Sequence, residues 1–112
     1  MIEKTIYDYL TDELNVPVHL ERPVDIPDAY VLIERTSGGK INGLNNATLA
    51  IQSYETSLLK ACQLNETVKA LMDDAVTLTN IFSVKLNSDY NYTNQAFKGY
   101  RYQAVFYLTY KE

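Results

Sequence analysis

The chain of 112 residues is poor in the residue types on which most catalytic and metal sites depend, with one cysteine, one histidine and no tryptophan. The single cysteine, Cys62, cannot form an intramolecular disulfide, so the fold must be stable in a reducing compartment. No apolar run approaches the ~20 residues of a membrane-spanning helix. The start Met1-Ile2-Glu3-Lys4 shows no secretory signal. We therefore expect a protein made in the cytoplasm, with no membrane partner.

Motifs for catalysis or cofactor binding are also scarce. His19 has no second histidine to share a metal or a proton, and Cys62 has no base near it in the sequence. The segment Ser37-Gly38-Gly39-Lys40 lacks the spacing of a phosphate-binding loop, and no helical pattern follows it. We interpret His19 as a strand residue and Cys62 as a small apolar residue. The sequence therefore predicts no catalytic residue, no metal site and no cofactor.

Composition and charge indicate an ordinary globular domain. Hydrophobic residues make up 46% of the sequence and charged residues 21%, which excludes a disordered tail or a coiled-coil rod. The length allows one domain, residues 1–112. The formal charge of −4 argues against a protein that grips nucleic-acid phosphates.

Periodicity predicts an α+β fold. Apolar residues recur at helical spacing over residues 2–14 and 57–75, and residues 16–22, 30–35 and 48–54 are typical of strands. Period-two alternation over 82–90 and 100–110 predicts a long C-terminal β-hairpin. The glycine-rich segment 36–46 is interpreted as a flexible loop. We expect an antiparallel sheet with two main helices on one face and a strand with prolines at its borders, 16–22, at the sheet edge.

Tyrosine is the one residue type in excess: six of the ten lie in the C-terminal hairpin region, namely Tyr90, Tyr92, Tyr100, Tyr102, Tyr107 and Tyr110. A strand over 100–110 reaches about 36 Å, whereas a domain of this size is roughly 34 Å across, so we expect this hairpin to project. Projecting aromatic residues, and apolar residues in a loop, are typical of protein interfaces. The candidate interface residues are Gly38, Gly39, Lys40, Ile41, Leu44, Tyr90, Tyr92, Phe97, Tyr100 and Tyr102.

Four segments resemble small virion proteins of siphophages and prophages of Gram-positive bacteria, which belong to the tail terminator, tail completion or minor capsid proteins. The segments are Glu21–Glu34, Thr48–Tyr54, Ser83–Tyr92 and Tyr100–Phe106. The similarity covers about residues 20 to 110 and consists of strand and turn residues, with no catalytic signature.

The resemblance implies a non-enzymatic tail terminator, which forms a hexameric ring on the tail tube and joins it to the head connector. Its expected partners are further copies of itself, the tail-tube protein and the head-completion protein. Six copies at −4 each would carry −24, so DNA could pass through the lumen without adhering. Two alternatives remain open: another head–tail joining protein, such as a stopper or minor capsid subunit, and a small regulatory nucleic-acid-binding module.

Overall fold

The computed structural model describes residues 1–94, 96 and 99–112. Two α-helices, a 3₁₀ turn and five strands make up this part of the protein. Their bounds are α1 Ile2–Glu13, β1 Val18–His19, β2 Tyr30–Ile41, β3 Leu44–Tyr54, α2 Leu58–Asp74, the 3₁₀ turn Ala75–Thr77, β4 Ile81–Asn91 and β5 Arg101–Tyr110. The expected α+β class, with two helices and a long C-terminal hairpin, is confirmed.

All five strands belong to one sheet in the order β1-β2-β3-β5-β4. The four long strands pair antiparallel, and only the short β1 runs parallel to its neighbour β2. The strand predicted near Pro17 lies at the sheet edge, as expected, because proline lacks the donor that an inner strand needs. The parallel pairing requires the backbone to return from the end of β1 to the start of β2 through residues 20–29.

Both helices pack on the same face of this sheet. Helix α2 begins after Ser57, whose hydroxyl oxygen accepts a hydrogen bond from the Lys60 amide at 3.2 Å and so satisfies one of the first free N–H groups. Ile6 of α1 and Val68 of α2 are fully buried against Leu49 and Phe106 of the sheet. Alternate residues of the inner strands therefore point into a single core, and their neighbours point to the opposite, uncovered face.

The expectation of a flexible loop at 36–46 is wrong. Strand β2 continues to Ile41 and turns into β3 through two residues, Asn42 and Gly43, which both have positive φ. Asparagine and glycine tolerate this conformation, and such a turn matches the twist of the strands that it joins. Glycine and polar residues alone suggested a loop, but their pairing with β3 keeps the segment extended.

The C-terminal hairpin also differs from expectation in two ways. Strand β5 pairs along its whole length with β3 and β4, so it lies inside the sheet and does not project. Its alternate residues Ala104, Phe106 and Leu108 are covered by the protein's own helices. In β4, a register shift between Leu86 and Ser88 moves Tyr90 to the face opposite Leu86. The single apolar face predicted for residues 82–90 is therefore interrupted.

The strands end level with one another. Tyr54 pairs with both Tyr30 and Arg101 at one end, and Ile41 pairs with Leu44 at the other. The molecule measures 43 × 25 × 24 Å, elongated along the strands. Neither helix in the described residues combines the length and apolar character needed to cross a bilayer.

Candidate functional site

The residues predicted for an interface lie at opposite ends of the sheet. Gly38, Gly39, Lys40, Ile41 and Leu44 belong to the turn end of the β2–β3 hairpin, whereas Tyr90, Tyr92, Tyr100 and Tyr102 lie at the other end. Leu44 and Tyr54 bound β3, and ten residue steps at ~3.4 Å separate them by about 34 Å. Phe97 lies outside the described residues. The structure therefore provides two separate candidate surfaces.

The first surface is the hairpin tip, defined as Lys40 to Leu44. Ile41 and Leu44 form the last cross-strand pair before the turn, with 67% of Ile41 and 37% of Leu44 exposed to solvent. Gly43 occupies the turn with φ +81°. Gly38 lies behind the tip, where a Cβ would be 3.3 Å from the Asn46 carbonyl oxygen. The tip thus presents two aliphatic side chains on a rigidly paired hairpin.

The second surface is the aromatic end, defined as Tyr54, Tyr90, Tyr92, Tyr100 and Arg101. The Arg101 guanidinium lies 4.3 Å from the Tyr92 ring centre and 5.5 Å from that of Tyr54. Its Nε–H donates to the Tyr92 carbonyl oxygen and its Nη1 donates to the Tyr54 hydroxyl, both at 2.6 Å. Tyr90 contacts Tyr92 edge to face, with 5.8 Å between ring centres. The cation and the rings fix one another in position.

A continuous series of side-chain hydrogen bonds leaves this end across the uncovered face. The Tyr54 hydroxyl, which accepts from Arg101, donates to Gln52 Oε1 at 2.8 Å. Gln52 Nε2 donates to Gln103 Oε1 at 2.8 Å, and Gln103 Nε2 donates to the Tyr90 hydroxyl at 2.6 Å. The two glutamines are only 6% and 9% exposed. Sequence reasoning missed both, because their pairing depends on the register of β3 with β5.

Tyr30 connects the aromatic end to the 20–29 segment. Its ring is buried and stacks on Tyr54, with 4.3 Å between ring centres. Burial raises the pKa of Tyr30, and the neighbouring Tyr54 hydroxyl adds to this increase. The guanidiniums of Arg22 and Arg101 act in the opposite direction, since both stabilise a negative charge on Tyr30. Two cations therefore lie within electrostatic reach of the same hydroxyl.

Tyr102 is the predicted interface residue that the structure places elsewhere. It lies on the helix-covered face, half-buried beside Cys62, and the neighbouring thiol raises the pKa of its hydroxyl. Tyr100 is half-buried, and its carbonyl oxygen accepts a bond from the Glu55 amide at 3.1 Å. Tyr90 and Tyr92 remain exposed. Of the four predicted tyrosines, these two contribute most of the free aromatic surface.

The residues considered for catalysis are not brought together. His19 contacts the Tyr30 ring edge to face at 5.9 Å between ring centres, and Cys62 lies on the opposite side of the sheet beside Tyr102. Among the described residues, no group of three or more histidine, cysteine or acidic side chains is arranged to hold a metal ion. The arrangement at both ends is instead one of binding surfaces.

Comparison with known proteins adds no further assignment: no family model matches the sequence, and no curated protein matches it at a significant level.

Proposed function

We propose that this is a non-enzymatic virion protein, a tail terminator that forms a ring on the tail tube and joins it to the head connector. The observation that carries the proposal is the separation of two chemically different surfaces on one short domain. The hairpin tip is aliphatic, the aromatic end is aromatic and cationic, and about 34 Å of sheet lies between them. A subunit placed between two different neighbours needs two such surfaces.

The resemblance of residues 20 to 110 to tail terminator and tail completion proteins supplies the biological setting. Residues of the hairpin tip and of the aromatic end fall within or beside the segments that carry it. In this setting the protein is made in the host cytoplasm and ends in the neck of the virion. Its partners are other copies of itself, the tail-tube protein and the connector protein, and DNA passes through the ring.

Exposed apolar side chains supply the physical reason for assembly. Ile41 at the tip and Phe82 on the edge strand β4 are each more than half exposed. Isolated exposed apolar residues are common, but a pair on a fixed hairpin tip, as Ile41 and Leu44 are, costs solubility without adding to the core. Covering them with a neighbouring subunit recovers roughly 25 cal/mol for each Å² of apolar surface.

The test uses the tail-tube protein encoded in the same genome. Purified tube protein is allowed to polymerise with and without this protein, and tube lengths are measured by electron microscopy. We expect the protein to stop tube growth and to appear as a ring at the tube end. Light scattering over a range of concentrations measures whether the ring forms without the tube.

A variant pair localises the contact. Ile41→Ser removes an aliphatic group that is 67% exposed at the tip, and Leu59→Ser removes one that is 69% exposed on α2. We expect the first variant to weaken assembly with one neighbour and the second to behave as wild type. A protein that stays monomeric, leaves tube length unchanged and does not bind the connector protein overturns the proposal. Binding to the connector alone favours the stopper, and retention on heparin favours the nucleic-acid module.

A further inference from the structure

A small pocket opens at the aromatic end. Its volume is about 190 Å³, and it is lined by Arg22, Tyr54, Asn94, Gly99 and Arg101. At ~30 Å³ for each water molecule this space holds roughly six waters. It is smaller than the pockets that enclose whole small molecules, which begin near ~300 Å³. The pocket therefore has the size for one side chain or one free C-terminus.

The Arg101 guanidinium is held in place before any ligand arrives. Two hydrogen bonds of 2.6 Å fix its Nε and Nη1 atoms, and the Tyr54 and Tyr92 rings lie on either side of the group. An arginine has five N–H donors, and these two contacts leave the others available. A guanidinium fixed in this way loses little conformational entropy when it binds a planar anion.

Neither arginine of the pocket has an acidic partner within the protein. The ion pairs of the described residues involve Arg35, the lysines and the N-terminus, and do not include Arg22 or Arg101. The three remaining residues, Gln95, Phe97 and Lys98, carry no carboxylate. In a protein with a formal charge of −4, two arginines without an acid at one pocket are a local excess of positive charge.

We propose that this pocket binds a single carboxylate of a protein partner, either an aspartate or glutamate side chain or a free C-terminus. Arginine and carboxylate form paired, charge-assisted hydrogen bonds, and the Tyr54 ring covers the apolar part of the incoming group. This site is argued from its own residues and stands whether or not this is a virion protein.

The surroundings of the pocket favour one carboxylate over a polyanion. An adjoining groove of about 460 Å³ shares Arg22 and Tyr54 with the pocket and is also lined by Asp28 and Glu55. A nucleic acid bound at the arginines would extend its further phosphates towards these two acids, which repel them. A peptide with one acidic group meets only the cationic part.

The probe is the acetylated and amidated tripeptide Gly-Glu-Gly, titrated into the full ¹⁵N-labelled protein while the arginine Nε–Hε resonances are recorded. We expect a saturable shift of the Arg101 resonance in the millimolar range, and none with the neutral tripeptide Gly-Gln-Gly. Acetyl-Gly-Gly-Gly with a free carboxyl group tests the C-terminal source. Inorganic phosphate and a short single-stranded oligonucleotide test the polyanion.

Three arginine variants make the test specific. Arg22→Gln and Arg101→Gln each remove one cation and should weaken peptide binding about tenfold. Arg22 makes no side-chain hydrogen bond or ion pair within the described residues, so its replacement leaves the fold intact. Arg35→Gln is the matched control, because Arg35 pairs with Glu3 away from the pocket. No shift at tens of millimolar peptide, an equal response to Gly-Gln-Gly, unchanged binding in both pocket variants, or tighter binding of the oligonucleotide overturns the proposal.

Discussion

Gln52 and Gln103 face each other across β3 and β5, and the Nε2 of Gln52 donates to the Oε1 of Gln103 at 2.8 Å. Both amides are buried although no helix covers their face of the sheet. Each amide also bonds a tyrosine hydroxyl, so the pair is satisfied on both sides. A shift of one residue between the strands would place the two side chains on opposite faces. The pair therefore helps to specify the register at the centre of the sheet.

Replacing one member of this pair should destabilise the fold. Gln52→Leu leaves the Gln103 Oε1 and the Tyr54 hydroxyl without their partners in a site with little access to water. We expect a loss of about 1–3 kcal/mol in the free energy of unfolding, measured with urea. Gln63→Leu, at an exposed position of α2, is the matched control and should change stability by less than about 0.5 kcal/mol. Equal effects of the two variants would show that the bonded pair contributes nothing.

Gly43 should be sensitive to a substitution that adds only a methyl group. No atom lies within 4 Å of the Cβ that Gly43→Ala would add, so any effect comes from the positive φ of +81°. That backbone conformation costs an alanine about 1–2 kcal/mol. Thermal or urea unfolding of Gly43→Ala measures the loss, and Gly99→Ala, at a glycine without positive φ, should show little or none. Full stability of Gly43→Ala would contradict the turn geometry.

Asp89 of β4 should be more important for stability than its surface position suggests. Its carboxylate accepts bonds from Asn65 at 3.3 Å and from Lys69 at 3.2 Å, which joins β4 to α2. The Glu66 carboxylate beside Lys69 contributes most to raising the pKa of that lysine, and Asp89 adds to it. We expect Asp89→Ala to cost about 1–2 kcal/mol, because it also leaves the buried Asn65 amide unpaired. Glu66→Ala removes only an exposed helical pair and should cost about 0.5 kcal/mol or less.

Tyr9 links stability to alkaline pH. Its hydroxyl donates to the Leu71 carbonyl oxygen at 2.7 Å, which requires the protonated form. Burial raises the pKa of Tyr9, and the negative charges of Asp74 and Glu13 add to this. The stabilisation is complete below the unfolded pKa of about 10 and is lost as pH rises through the higher folded pKa.

The variant Tyr9→Phe tests this link. It should lower stability at neutral pH by about 1 kcal/mol, through the lost hydrogen bond. Above pH ~10 the difference from wild type should shrink, since the wild-type hydroxyl then ionises more readily in the unfolded state. Urea unfolding at several pH values measures the difference. A difference that grows with pH would contradict the direction of the shift.

Periodicity located both helices and most strands, because burial of one face leaves its mark at fixed spacing. The helix stripe that includes Val68 and the alternation of Ala104, Phe106 and Leu108 were readable for this reason. The continuation of β2 to Ile41 was not readable, since its polar and glycine residues follow no apolar pattern and are held by pairing with β3 alone. The Asn42-Gly43 sequence was the available signal for that hairpin.

The candidate site was predicted less completely than the fold. Composition identified the hairpin region as rich in tyrosine, but only register separates Tyr90, on the uncovered face, from Tyr102, which lies against α2. The β4 bulge that moves Tyr90 has no sequence signal. The pocket at Arg22 and Arg101 joins residues 79 positions apart in the sequence, and local patterns carry no information about such a meeting.

The even ends of the strands make the β2–β3 hairpin adjustable in reach. Because only the first residues of β2 and the last of β3 contribute to the core, two residues added on each side of the Asn42-Gly43 turn would move Ile41 and Leu44 outward by about 7 Å and keep them on the same face. Such an insertion leaves the packing beneath the helices unchanged. The domain can therefore fit neighbours at different spacings through one hairpin, without renewed optimisation of its interior.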